Sequence, residues 1–448
     1  MQPQSVIAIF DIGRTNKKRL LFSERYELLE ELNVRLPETV DEDGFPAEDL
    51  GLLSEWLQQS FSELLIRKDL RVCAVNVSAY GASFVHLDSE LKTCAPLYNY
   101  LKPFPENLQA RFNSEYDWDG GLAAQTASPE LGSLNSGMQL YWLKKNRPEI
   151  FERIRYSLHL PQYISFLLSG FCATELTSIG CHTRLWDFTR HDYHQWVKAE
   201  GLLEKFPAVY GGDYVSKRKS DGIAVGIGLH DSSSALIPYL SVSGDPFLLI
   251  STGTWSISLN PFNHSPLTTE ELRQDCLCYL SFQGKPVKAA RLFAGHDHDE
   301  FVKKLAVHFQ CAEDHYLNLL PDEQLLQRWS TANDLQIDEA CNTLSGFINY
   351  ADAYHAGMVR IMRKQKKSTA LVLEPGRTKK IFVDGGFSKN RLFLHLLARS
   401  FPEQQVYAAS LAHASALGAA LAIHFHWHPG PAPERLPELK PVFATQTV

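Results

Sequence analysis

The sequence predicts an α/β protein made of two related domains that face one phosphate-bearing ligand. Three observations carry this. First, residues 247–259 read as an apolar strand, a tight turn, and a second strand in which Ile257 and Leu259 alternate with Ser256 and Ser258. The turn, Ser251 to Thr254 around Gly253, puts small hydroxyls and an unhindered backbone at its tip. Such a tip either closes an ordinary hairpin or offers N–H and O–H donors to an oxyanion. Second, residues 6–22 repeat the layout: an apolar strand runs to Asp11, a turn holds Gly13 and Thr15, and apolar residues return at Leu20, Leu21 and Phe22. Two such hairpins roughly half a chain apart imply a duplicated unit. Third, a helix and a short apolar strand follow the first hairpin, the order expected of an α/β domain.

The first hairpin adds a carboxylate, Asp11, and cations at Arg14, Lys17 and Lys18. It would offer Asp11 to a metal and Lys18 to a phosphate, with the second hairpin closing on the phosphates from the other side. A third strand is expected over 26–33. The spacing of Leu50, Leu53, Trp56, Leu57, Phe61 and Leu64 predicts a helix over 46–70. Residues 71–77 read as a strand buried in a parallel sheet, followed by a turn at Tyr80-Gly81 and a strand over 84–88. Residues 92–133, broken by Pro96, Pro103 and Pro105, read as loops that either line a ligand or cover surface.

Helices are expected over 135–147, capped by Asn135 or Ser136 and stopped by Pro148, over 161–170 and over 193–203. The small-residue loop 177–183 carries His182; a lone loop histidine is usually a surface or hydrogen-bonded residue and less often a ligand contact. Over 223–237 a glycine-punctuated apolar strand ends at His230-Asp231 and runs into a helix. At the carboxyl end of a strand Asp231 either caps that helix or faces a ligand. Residues 260–280 read as loop-rich, and 299–310 and 344–363 as helices. A strand over 379–384 leads into Gly385-Gly386, whose backbone can lie flat against a planar ligand such as adenine, and then into a capped helix. A helix over 412–424, with Ser415, Gly418 and Ala419 permitting close packing, precedes a proline-rich tail expected to loop over the surface from Pro429. Histidines clustered at 294–299 and 424–428 suggest a metal but lack a complement of spaced ligands.

A chain of 448 residues exceeds one hydrophobic core, so the expected division is 1–240, 241–430 and a tail, 431–448. A net charge of −7 argues against a general nucleic-acid binder. Asp11 and Gly13 interrupt the first apolar run, so no signal peptide is expected, and no uninterrupted apolar stretch is long enough for a membrane span. The eight cysteines form no CxxC pair and are expected to be reduced, which points to the cytoplasm.

Four motifs in order are more specific than any one of them: Asp11-Ile-Gly-Arg-Thr-Asn-Lys-Lys18, Gly228-Leu-His-Asp231, Ser251-Thr-Gly-Thr-Trp-Ser256 and Asp384-Gly-Gly-Phe-Ser-Lys-Asn390. Together they resemble the FGGY family of carbohydrate kinases over about residues 5–425. The resemblance implies two ribonuclease H-like (actin-like ATPase) domains with a nucleotide- and sugar-binding cleft between them. It implies ATP and Mg²⁺ as cofactors and a small sugar as substrate. Asp11, Gly13, Thr15, Asn16 and Lys18 match the first phosphate motif, with Asp11 near the magnesium. Thr252, Gly253 and Thr254 match the second, and Gly385, Gly386 and Asn390 the adenosine motif. Asp231 matches the general base and borders the metal. Tyr80, Gly81, Ser83, His182 and His230 fall at sugar-side positions.

Within the family, His230-Asp231 followed by Ser232, Ser233, Ser234 and Ala235 looks most like the rhamnulose kinase pattern, and the Ser251–Ser256 turn also fits fuculose-type kinases. The resemblance thus implies phosphorylation of a deoxy-ketose or ketopentose. Departures fall on the sugar side: the Tyr80–Ser83 turn lacks an acidic residue usual there, and Tyr98 to Leu101 lacks an Arg-Asp pair. Arg14 stands where a small residue is usual, and would either add a phosphate contact or crowd the nucleotide. These departures support an alternative, a sugar- or nucleotide-sensing protein on the same scaffold. Dimers are common in the family.

Overall fold

The computed structural model describes residues 3–241, 244–433 and 436–443. Its frame is two seven-stranded sheets laid out on one plan. In the first, Gln4–Ile12, Lys17–Ser23 and Leu28–Val34 run antiparallel in sequence. Leu70–Ala79 lies parallel on the free side of Gln4–Ile12, and Ala224–Gly226 lies parallel beyond it. In the second, Phe247–Thr252, Ser256–Asn260 and Pro286–Leu292 repeat the antiparallel run. Lys380–Gly385 and then Gln405–Ser410 repeat the parallel pair. The spatial order third, second, first, fourth, fifth therefore occurs twice, the duplication that the paired hairpins implied.

Strand parity sends alternate side chains to opposite faces. Ile7 and Ile9 join one core with Ile237, Ala416 and Ala420. Ala8 and Phe10 join another with Leu53, Leu57 and Phe61 of the helix Leu50–Leu65. That helix starts four residues later than its apolar spacing suggests. The Asp49 carboxylate accepts from the Leu52 N–H at 3.0 Å and sets the first turn, while Pro46–Glu48 pairs as a short strand with Glu38–Val40.

Two helices form the layer between the sheets. Asp231–Leu240 turns Ile237 towards the first sheet, and Leu236 and Tyr239 towards Phe247 and Leu249 of the second. Ala414–Ala422 packs alongside it. A Cβ on Gly418 would sit 1.8 Å from the Ser234 carbonyl oxygen, so this contact tolerates only glycine. The Ser234 hydroxyl donates to the Ser415 carbonyl at 2.7 Å. The small residues of 412–424 thus do permit close packing.

Several expectations need correction. The 92–133 stretch contains the helix Glu106–Tyr116, entered at Pro105, where a missing N–H costs nothing, and held by buried Leu108 and Phe112. The loop-rich 260–280 region contains the strand Cys276–Leu280, paired with Pro286–Leu292. The helix expected over 299–310 begins at Ala294, and that over 344–363 runs Tyr350–Ala370, because the Asn349 side chain caps it on the Asp352 N–H. Within the tail expected to loop over the surface, Glu438–Val442 adds an edge strand to the second sheet.

The histidine clusters have structural partners. His298 is buried against the Tyr354 hydroxyl at 3.0 Å, and His424 bonds the Tyr26 hydroxyl at 2.6 Å. Among the described residues no group of His, Cys, Asp and Glu could alone hold a metal ion. Among them, too, no helix is long and apolar enough to cross a membrane.

Candidate active site

Asp11 and Asp231 reach the cleft from opposite elements. Asp11 ends the first strand, in register with Lys18 on the returning strand. Its carboxylate accepts from the Ser415 hydroxyl at 3.1 Å, which ties it to the inter-sheet helix pair. Burial, and then the negative charge of Asp231, raise its pKa above the usual carboxylate value, against hydrogen bonds from Ser415 and Ser78. Asp231 opens its helix directly after the strand residues Leu229–His230. Its Oδ1 accepts from the Ser232 N–H at 2.6 Å. The side chain keeps 37% exposure, so water and ligand reach it. The surrounding protein nevertheless raises its pKa to about 6, against the Ser232 hydrogen bonds.

Asp11 and Asp231, close enough that the charge of Asp231 raises the pKa of Asp11, form a donor set suited to a divalent cation. Magnesium commonly takes one or two protein carboxylates and fills its remaining positions with water and phosphate oxygens. The pair fits that role without a closed protein cage.

Gly81 and His182, two of the positions that the resemblance put on the sugar side, lie close to His230. A Cβ on Gly81 would lie 2.8 Å from His230 Cδ2. His230 Nε2 stands 3.3 Å from Asp231 Oδ1 and 3.4 Å from Cys181 Sγ. Burial pushes the His230 pKa down to about 4 and, with the charge of His230 adding to it, that of His182 to about 3, so both rings are neutral at pH 7. The Ser83 hydroxyl, His182 Nδ1 and His230 Nδ1 are buried without a hydrogen-bond partner in the protein. Buried polar atoms are normally paired, so these three keep hydrogen-bonding capacity that the protein itself does not use. Tyr80 is already engaged, its hydroxyl donating to Glu48 at 3.3 Å.

The two hairpin turns are each closed by an internal backbone hydrogen bond. The Gly13 N–H donates to the Asn16 carbonyl at 2.9 Å, closing the first turn, and the Gly253 N–H donates to the Trp255 carbonyl at 2.8 Å, closing the second. A Cβ on Gly253 or Gly386 would meet nothing within 4 Å, so both glycines border open space. Gly385 is different: φ is +84°, and a Cβ would lie 1.8 Å from the Thr252 carbonyl oxygen. The Thr252 hydroxyl accepts from the Phe387 N–H at 3.0 Å, so the second phosphate turn and the Gly-Gly turn form one unit. The helix Ala294–Phe309 brings its N-terminus to this unit, with the His296 N–H on the Thr254 carbonyl at 3.0 Å. That end carries partial positive charge.

Other positions are engaged internally. Thr15 is exposed at the first turn, and Asn16 accepts from Arg35 at 3.1 Å. Lys18 pairs with Glu31 at 2.8 Å. Asn390 caps Phe393 at 3.0 Å and donates to the Tyr354 hydroxyl at 2.8 Å. Sequence reading missed two residues here. Asp384, accepting from the Tyr239 hydroxyl at 2.7 Å, was visible as a strand-end carboxylate before the glycines. Cys181 carried no signal, because its value lies in its contact with His230.

The duplicated sheet plan, with its two hairpin turns, is a two-domain fold of the actin-like ATPase type. Residues 6–246 match the N-terminal domain of the FGGY family of carbohydrate kinases, and residues 244–327 match the carbohydrate kinase FGGY C-terminal domain. The chain belongs to the FGGY family of carbohydrate kinases, and its activity is ATP-dependent phosphorylation of a sugar. It is 22% identical to an L-fuculokinase of Escherichia coli strain K12, over 95% of this chain and 92% of the relative. It is 26% identical to a rhamnulokinase of Halalkalibacterium halodurans over 41% of each chain. A carbohydrate kinase structure from Novosphingobium aromaticivorans superposes with a TM-score of 0.80 at 23% identity, covering 99% of this chain and 94% of that one. A xylulose kinase structure from Lactobacillus acidophilus does so with a TM-score of 0.77 at 15% identity, covering 98% and 94%.

Proposed function

We propose that the acceptor is a small ketose, a deoxy-ketose or ketopentose of the L-rhamnulose or L-fuculose type, and that Asp231 is the general base. The base assignment is supported by the position of Asp231 at the strand end with a raised pKa, and the ketose assignment by the His230-Asp231 pattern followed by Ser232, Ser233, Ser234 and Ala235 and by the similarity to L-fuculokinase and rhamnulokinase. Near neutral pH Asp231 is mostly ionised yet basic enough to take a proton. It accepts the proton of one sugar hydroxyl as that oxygen bonds to the γ-phosphorus, while the bond from phosphorus to the β-phosphate oxygen breaks and ADP leaves. Magnesium, held by Asp11 and Asp231, would neutralise phosphate charge. The turns at Gly13 and Gly253 hold the triphosphate, and the open face at Gly386 takes the adenosine.

The same reading assigns 1–240 to the sugar side and first phosphate turn, 241–430 to the second turn and adenosine, and a cytoplasmic location. ADP release with Mg-ATP is the test, across L-rhamnulose, L-fuculose, D- and L-ribulose, D- and L-xylulose, glycerol and erythritol. One ketose should dominate; turnover of glycerol alone would discard the ketose assignment. With the preferred ketose, Ser83→Ala should raise the sugar KM about tenfold, the loss of one hydrogen bond, and leave the ATP KM within twofold. An unchanged sugar KM would remove Ser83 from the sugar site.

A further inference from the structure

Asp231 sits on a backbone that its own helix cap does not hold. His230, the residue before it, occupies the cap position of the helix Asp231–Leu240 and makes no side-chain cap bond. On one side, Leu229–His230 pairs in parallel with Ser78 and Ala79. On the other, the His230 N–H donates to the Thr177 hydroxyl at 2.9 Å. That hydroxyl belongs to a segment with no part yet in phosphoryl transfer. It consists of the two-residue strand Thr174–Glu175, paired with Val209–Tyr210, and the short helix Leu176–Ile179.

The Thr177 hydroxyl is itself oriented. Its single proton goes to Glu175 Oε2 at 2.7 Å, which leaves a lone pair for the His230 N–H. Glu175 is fully buried, and among the described residues no cation pairs with it. Its oxygens accept instead from the Thr177 N–H at 2.7 Å and the Ser178 N–H at 3.1 Å. A buried carboxylate without a counter-ion is costly unless such donors surround it. All three donors come from Thr177 and Ser178, so the carboxylate fixes that turn. The turn leads on to Gly180, where a Cβ would lie 2.5 Å from Leu280 Cγ of the second sheet. Cys181 follows, its Sγ 3.4 Å from His230 Nε2. Thr177 therefore ties the residue before Asp231 to a packed junction that both sheets share.

We propose that Thr177, oriented by Glu175, is a positioning residue for the base: its hydroxyl holds the His230 N–H and thereby sets where the Asp231 carboxylate points. This rests on Asp231 being the base and not on the identity of the sugar. Neither Thr177 nor Glu175 exchanges a proton with the substrate. Their part is to keep Asp231 within hydrogen-bond reach of the acceptor hydroxyl. A displacement of about 1 Å from such a place costs up to about 100-fold in rate.

The test uses the full chain at pH 8, above the value of about 7 to which burial pushes Glu175. It follows sugar-dependent ADP release with the best acceptor of the panel, alongside thermal melting. Thr177→Val keeps the shape and removes the hydroxyl, whereas Thr177→Ser keeps the hydroxyl. Thr177→Val should lower kcat roughly 10–100-fold, with the ATP KM within about twofold. Thr177→Ser should stay within about threefold of wild type. The deciding comparison places Thr177→Val in the Asp231→Asn background, where no base is left to misplace. The further loss there should be under about threefold. An equal loss in both backgrounds would mark general structural damage and overturn the proposal. So would a Thr177→Val kcat within about twofold of wild type, or a Thr177→Ser variant as slow as Thr177→Val. Thr177→Ala carries the same comparison should Thr177→Val melt below the assay temperature. Wild-type turnover by Asp231→Asn alone would instead discard the base itself, and this positioning role with it.

Discussion

Asp231→Asn is expected to lower sugar-dependent ADP release by roughly 10²–10⁴-fold, the usual contribution of a positioned general base. The substitution is close to isosteric. An Asn oxygen can still accept from the Ser232 N–H that Asp231 Oδ1 binds at 2.6 Å, so the helix start should persist. What is lost is the ability to take a proton. The pH dependence gives the second readout. The pKa of Asp231 is raised to about 6, and the base works only when ionised. Activity should therefore be low in acid, climb as Asp231 ionises, with bound magnesium moving that limb below pH 6, and level off above it. The residual activity of Asp231→Asn should lack that limb. A variant with wild-type turnover, or one that keeps the same acid limb, would remove Asp231 from the proton-transfer step.

Gly418→Ala is expected to be nearly as damaging, for a mechanical reason. The added methyl would stand 1.8 Å from the Ser234 carbonyl, so the two inter-sheet helices must separate. Overpacking of this kind costs on the order of 1–3 kcal/mol. Separation also displaces Ser415, whose carbonyl accepts from Ser234 and whose hydroxyl donates to Asp11. Thermal stability and turnover should fall together. Gly386→Ala is the matched control, since its methyl meets nothing within 4 Å of protein. It should melt like wild type and weaken ATP. Equal melting of Gly418→Ala and wild type would show that the helix pair is looser than this contact implies.

Much of the architecture was legible because it rests on local pattern. The hairpins showed themselves as apolar runs around small residues, and Gly418 as a small residue on a helix destined for close packing. Strand parity could also have separated Lys17 from Lys18, since Leu20 and Phe22 mark one face and Leu21 the other. The rest depended on tertiary partners. Asn390 looks free to meet a ligand until Tyr354 arrives from a helix far earlier in the chain. Cys276–Leu280 is buried throughout, so it shows no alternation, and its pairing with Pro286–Leu292 cannot be read locally. Ser83 was marked only by the resemblance, and His182 by a small-residue loop that left its role open. Their significance is the absence of a protein partner at a buried position.

The helix Ala414–Ala422 covers the face of the first sheet formed by Ile7, Ile9 and Leu20. Those strands leave the ribosome some four hundred residues before their cover does. During synthesis the N-terminal half must wait with an apolar sheet face unsealed, shielded by chaperones or by transient collapse. The two halves are thus related by duplication yet not independent as folding units, because the last helix of the second completes the core of the first. A chain terminated before residue 414 would retain nearly every site residue and still present that sticky face to its neighbours, making aggregation the expected fate of nonsense truncations late in the gene.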